Sequence, residues 1–325
     1  MSMRFLSNYG DTIQAVFTVA GFALFALIVA SQPALVQQYG TLFWGGVVLI
    51  WLGLWWGNHA LANAPITQPP WAKLRDVAVP VVFGLTLLWL WEILCTGLRV
   101  PTVLLPAPSL IFAKVFGTLP TLGADFVQTV LRAAIPGWIM GCLAGFGVAL
   151  ACDRSDFLRR GLMPIGNFIS ALPVIGIAPI LVMWFGFDWQ SKAAVVVVMT
   201  FFPMLVNTVA GLSSAGHIER DLMRSYGASW GRTLISLRLH AAMPLIFNAL
   251  KINATLAMIG AIVAEFFGTP TVGMGFRIST EVGRMAVDMV WATIAVAAVA
   301  GSAFYGLLVV AERSVTFWHP SYRQR

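Results

Sequence analysis

Charge is what this sequence has least of. Asp, Glu, Lys and Arg make up 10% of its 325 residues, against about a quarter in a soluble domain. Hydrophobic residues reach 59%, with 13 Trp and 22 Phe, and the mean hydropathy is +0.83. A chain this apolar is not solvated as a globule, which excludes disordered, collagen-like, coiled-coil and ordinary cytosolic classes. Cysteine is scarce: Cys95, Cys142 and Cys152 form no disulfide framework and no zinc spacing. The histidines His59, His217, His240 and His319 are scattered, and no His-Glu-x-x-His occurs. Gly186–Lys192 ends in Ser191-Lys192 but lacks the second Gly of a phosphate loop, and Gly273-Met-Gly275 lacks the third Gly of a dinucleotide loop. With no cluster of His, Cys or carboxylates, we expect no catalytic residue and no metal site. Lys and Arg exceed Asp and Glu by 20 to 13. No basic run with interleaved aromatics accompanies that excess, so it points to membrane loops and not to nucleic acid.

Long apolar runs are what is there. A hydrocarbon core of ~30 Å needs about 20 helical residues. Eight runs qualify, at 12–31, 41–60, 77–97, 128–151, 162–186, 193–213, 245–267 and 289–311. The first reads as a retained span and not a cleaved signal, because Met1–Asp11 carries one Arg and the run is a full bilayer wide. The fifth is the least uniform, with Pro164, Pro173 and Pro179. Arg154, Arg159, Arg160, Arg220, Arg224, Arg232 and Arg238 all fall on one side of the resulting topology. That side is then cytoplasmic and so are both termini. The fold class is all-α and polytopic, with about eight spans. Residues 61–76, with Pro65, Pro69 and Pro70, read as a linker between two leading helices (1–76) and a six-helix body (77–311), followed by a tail (312–325). Within the external stretch 98–127, Ser109–Leu119 suits a short surface helix.

Three features bear on chemistry. Glu92 and Glu265 lie in or at the ends of spans, where a carboxylate is costly. Each therefore marks either a transport path or a helix end paired with Arg or backbone. Gly137, Gly141 and Gly145 recur every four residues and cut a groove for a neighbouring helix. The most unusual segment is 214–243, neither Gly/Ser-rich nor acidic and so a poor flexible linker. Asp221–Tyr226 suits a short helix, Gly227 a left-handed end, and Ser229 the cap of a second helix carrying Leu234, Leu237 and Leu239 beside Arg232 and Arg238.

This segment resembles the coupling loop of permease subunits of ATP-binding-cassette (ABC) importers. Asp221, Leu222 and Met223 take the places of an acidic residue and two alanines, Gly227-Ala228-Ser229 match the Gly-Ala-Ser turn, and Pro244 the later Pro; His240 stands where the first Pro is expected. Leu105-Pro106-Ala-Pro108-Ser109, Pro173…Gly176…Pro179…Trp184-Phe185-Gly186 and Ala264-Glu265…Gly273-x-Gly275 resemble further motifs of the nitrate, sulfonate, taurine and bicarbonate branch, which includes riboflavin and pyrimidine-precursor members. The resemblance covers about 77–311; the first 76 residues are additional to it.

The resemblance implies a type I importer permease in a bacterial inner membrane. Two copies of the permease form a pathway for a small solute delivered by an extracytoplasmic binding protein. A separate ATPase grips Glu219, Asp221, Leu222, Met223 and Arg224, with Gly227, Ala228, Ser229 and Pro244 shaping the loop. Pro173, Pro179, Glu265 and Glu92 are the pathway candidates. This chain would bind no cofactor and hydrolyse no ATP; its other contacts would be with lipid. The alternative is an ion-coupled secondary transporter, which needs an intramembrane charge relay.

Overall fold

The computed structural model describes residues 40–64, 69–170, 172–268 and 271–318. It is all-α, and no strand occurs among the described residues. The helices are α1 (Gly40–Asn63), α2 (Pro69–Gly97), α3 (Pro108–Gly117), α4 (Leu119–Arg154), α5 (Asp156–Ser170), α6 (Val174–Phe185), α7 (Trp189–Ser213), α8 (His217–Ser225), α9 (Trp230–Phe267), α10 (Met274–Gly283) and α11 (Val287–Val315). Six of the described helices (α1, α2, α4, α7, α9 and α11) are long and apolar enough to cross a membrane.

The sequence expectations are met in kind and changed in extent. The run at 12–31 lies outside the described residues. The fifth run, 162–186, is not one helix. It divides into α5 and α6 at Pro173, which takes a β-like φ of −69° and ψ of 119° and begins a new helix. Together the pair still carries the chain from one end of the bundle to the other, since α4 ends beside Arg238 while α7 begins beside Gly268. The linker expected at 61–76 is helical from Pro69. The surface helix expected near 109–119 forms as α3, and α4 starts directly after it on Pro120, where the ring's fixed φ suits a first turn.

The chain forms two compact units, divided between Lys114 and Val115. In the first, α1 and α2 pair antiparallel. Asn58 donates to the Val79 carbonyl at 3.2 Å, Trp55 meets Phe83 at 5.9 Å, and Gly97 leaves room for the Trp44 ring.

In the second, α4, α7 and α9 form the centre. The glycine groove is filled as its spacing predicts. A Cβ at Gly137 would lie 2.6 Å from Val196, one at Gly141 would strike Thr200, and one at Gly145 would strike the Phe201 carbonyl. These successive contacts make α4 and α7 parallel neighbours at close approach. Helix α9 runs against them, its Asn253 donating to the Thr200 carbonyl at 2.8 Å. The core between them is built of small residues, with Ala133, Ala134, Ala254, Ala257 and Ala261 fully buried. This is how helices pack when lipid removes the hydrophobic drive and van der Waals contact must suffice. Two π-helical turns interrupt the order, at Val127–Ala134 in α4 and Leu234–Arg238 in α9. Each re-aims side chains that reach across to other helices.

Candidate functional site

At one end of the second unit, α7 and α9 are joined by a helical hairpin. Gly216 is the cap residue of α8, and the Glu219 carboxylate folds back over it so closely that no Cβ would fit. Asp221 pairs with His217 at 2.9 Å and with Arg224 at 3.6 Å along the exposed helix surface. Such exposed pairs contribute at most about 1 kcal/mol each.

The helix ends as a Schellman turn. The Ala228 N–H donates to the Met223 carbonyl at 3.0 Å, the Gly227 N–H donates to the Arg224 carbonyl at 2.9 Å, and Gly227 has φ 66°. Ser229 then starts α9, its Oγ accepting from the Arg232 N–H. Helix α8 begins at His217, four residues before the sequence-predicted start, because Gly216 supplies the extended backbone a helix start needs.

The hairpin is fastened at its foot. Arg220 donates to the Ser213 carbonyl at 2.7 Å and to the Ala215 carbonyl at 2.6 and 2.9 Å. Arg238 makes a two-armed ion pair with Asp153 of α4, one arm at 2.7 Å, and donates from Nε to the Leu212 carbonyl at 3.1 Å. Trp230 Nε1 donates to the same carboxylate at 3.3 Å, and Arg154 stacks over the Trp230 ring. Pro244, inside α9, lacks the N–H that would have bonded the His240 carbonyl. Above this foot α8 buries no side chain. It holds Ile218, Leu222 and Tyr226 at 82%, 54% and 80% exposure, one helical turn apart. An apolar stripe on a stiffly mounted helix is suited to fill a groove in another protein.

At the opposite end a second polar cluster closes the loop before α10. Glu265, 2% exposed, accepts from Thr129 Oγ1 at 2.9 Å and from the Gly275 N–H at 2.8 Å. The Met274 N–H donates to Thr129 Oγ1 at 2.8 Å, and the Gly273 N–H donates to Asp125 at 2.8 Å. Arg277 pairs with Asp125 at 2.8 Å. The hydrogen bond to Asp125, ahead of lesser charge effects, raises the Arg277 guanidinium pKa, so the cation persists throughout the accessible pH range. The carboxylates thus meet the free N–H groups and positive end of α10.

Glu92 plays the same part for α3, accepting from the Ser109 N–H at 2.9 Å and its hydroxyl at 2.7 Å. Of the pathway candidates, then, both carboxylates are engaged in capping helix starts, while Pro173 and Pro179 sit at and just past the break between α5 and α6. Sequence reasoning did not single out Asp153, Asp125 or Thr129. The one hint for Asp153 is an acidic residue at a span end otherwise marked by Arg154. Among the described residues no cluster of His, Cys, Asp or Glu could hold a metal ion.

The second unit is thus a bundle of helices long and apolar enough to cross a membrane, with a fastened and exposed hairpin at one end. The chain belongs to the family of binding-protein-dependent transport system inner membrane components, whose model matches residues 141–323. It is therefore the permease component of an ABC importer, a multi-pass inner membrane protein. It is 31% identical over 222 residues to a probable ABC transporter permease protein of Haemophilus influenzae, covering 68% of this chain and 89% of that one. It is 32% identical over 197 residues (61% and 78%) to the formylaminopyrimidine transport permease protein ThiX of Halalkalibacterium halodurans. With the taurine transport system permease protein TauC of Escherichia coli it shares 26% over 255 residues (77% and 92%).

Proposed function

We propose that the hairpin is the handle by which a separate ATPase drives this permease. The observation that carries the proposal is the Ile218, Leu222 and Tyr226 stripe, exposed on a helix whose foot is bonded to α4 and α7 through Arg220 and Arg238. In this reading Glu219, Asp221, Leu222, Met223 and Arg224 meet the ATPase. Gly227, Ala228 and Ser229 hold the turn at a fixed angle, and Pro244 shapes the base. The hairpin end and both termini face the cytoplasm, in keeping with the Arg residues gathered there. The chain works as a pair of identical copies in lipid. A binding protein presents the solute at the far end, and ATP is used by the partner alone, with no cofactor held here.

The pathway would run past Pro173 and Pro179. A broken helix leaves backbone carbonyls free, and these can line a solute path inside a bundle. Glu265 would border its far end as a capping group and not as a bare charge, which suits a neutral or anionic solute. Relatives named for formylaminopyrimidine and for taurine transport support a small solute of that kind. A thermal-shift panel of oxyanions, sulfonates, pyrimidines and flavins on the cognate binding protein would choose among them.

The handle is tested by co-purification of the cognate ATPase with Leu222→Glu. The charge placed in the stripe should abolish capture while the permease stays in the membrane at its normal level. Undiminished capture by this variant would remove α8 from the contact.

A further inference from the structure

We infer that α4 is a transmission rod between the hairpin and the loop before α10, with Asp153 and Asp125 as the positioning residues that pin its two ends. The inference rests on the hairpin being driven by an ATPase. Helix α4 is not part of the hairpin's own stretch of chain. It is held there only by side chains: Asp153 accepts from Arg238 and Trp230, and the next residue, Arg154, covers the Trp230 ring. At its other end, Asp125 accepts from the Gly273 N–H and from Arg277, and Thr129 accepts from the Met274 N–H. The loop therefore hangs on the first turns of α4 as well as on its own helix, α9.

From residue 125 to residue 153 an α-helix spans about 42 Å, enough to reach from one end of the bundle to the other. Along that length Gly137, Gly141 and Gly145 seat α4 against α7 with no room for even a methyl group, so the rod has little slack. Both pins are shielded from water, the side chain of Asp153 at 8% exposure and that of Asp125 at 0%. Removing either acceptor leaves donors buried and unpaired. A displacement of the hairpin foot is thereby passed to the two backbone N–H groups of Gly273 and Met274, which would report the state of the ATPase at the face where solute arrives.

The test is hydrogen–deuterium exchange on the complete permease–ATPase complex in lipid nanodiscs, with and without ATP plus orthovanadate. In the wild type, trapping should change exchange in peptides covering 217–233 and 271–285. Asp153→Asn should keep the first response and lose at least four-fifths of the second, and Asp153→Glu, which restores a carboxylate for Arg238, should bring it back to within twofold. Should Asp153→Asn fail to assemble, Asp125→Asn leaves the hairpin foot untouched and should likewise lose the far response alone. A full far response in either assembled Asn variant overturns the rod. A wild-type hairpin that ignores trapped nucleotide overturns instead the ATPase reading on which the rod depends.

Discussion

Arg238 and Asp153 stand 85 positions apart in the chain, and their side chains close into a two-armed ion pair beneath the hairpin. The guanidinium is 13% exposed and the carboxylate 8%. At that burial, removing one partner strands the other, at a cost of roughly 3–5 kcal/mol. Arg238→Leu should therefore lower the melting temperature in detergent and open the hairpin to protease, whereas the double variant Asp153→Leu/Arg238→Leu should recover much of the loss. If the single variant melts like wild type, the pair does not fasten the hairpin.

Gly227 has open space where a Cβ would project, so substitution there tests the backbone alone. At φ 66° a side chain costs roughly 1–2 kcal/mol, least for Asn and most for β-branched residues. Uptake should fall in the order Gly, Asn, Ala, Val, with membrane levels unchanged. A Val variant as active as the Asn variant would show that the left-handed turn is dispensable.

Gly141 and Gly147 lie in the same helix but face different surroundings. A methyl at Gly141 would strike Thr200, while one at Gly147 meets nothing within 4 Å. Gly141→Ala should destabilise the detergent-solubilised protein by about 1–3 kcal/mol through overpacking. Gly147→Ala should be neutral, or more stable by up to about 1 kcal/mol from helix propensity. Thermal unfolding of the two single variants compares them directly, and equal melting temperatures would deny the close seat of α4 on α7.

Glu92 and Glu265 cap helix starts, and the account gives them a structural part. Glu265→Gln should cost about 1–3 kcal/mol, because it sets an amide NH2 against a donor of Thr129 or Gly275 where Glu265 presents an oxygen. In the wild type, uptake should persist when the proton gradient is collapsed with ATP maintained. Uptake that stops with the gradient would revive the secondary-transporter reading.

What the sequence made legible was local. The Gly227 turn and the Ser229 cap depend on neighbours within one helical turn, and the glycine groove on a four-residue repeat, so both could be read before any contact was known. The break at Pro173 was only half legible. Three prolines in one apolar run announce trouble, but which of them ends a helix depends on whether neighbours satisfy the freed carbonyls. The long-range pins were not legible. Asp153 and Arg238 acquire meaning only when α4 and α9 are set side by side, and a π-helical turn, unmarked by Gly or Pro, aims Arg238 across the gap. Thr129 lies in the other such turn, and a lone Thr in a span carries no signal of its own.

The most direct measurement places a photo-crosslinking residue at Leu222 and illuminates intact cells. The account predicts an adduct between this permease and an ABC ATPase subunit, lost when the probe is moved to Leu143, an exposed residue within α4. An absence of any ATPase adduct, or labelling of a cysteine placed at Leu222 by an impermeant reagent from the periplasmic side, would contradict it.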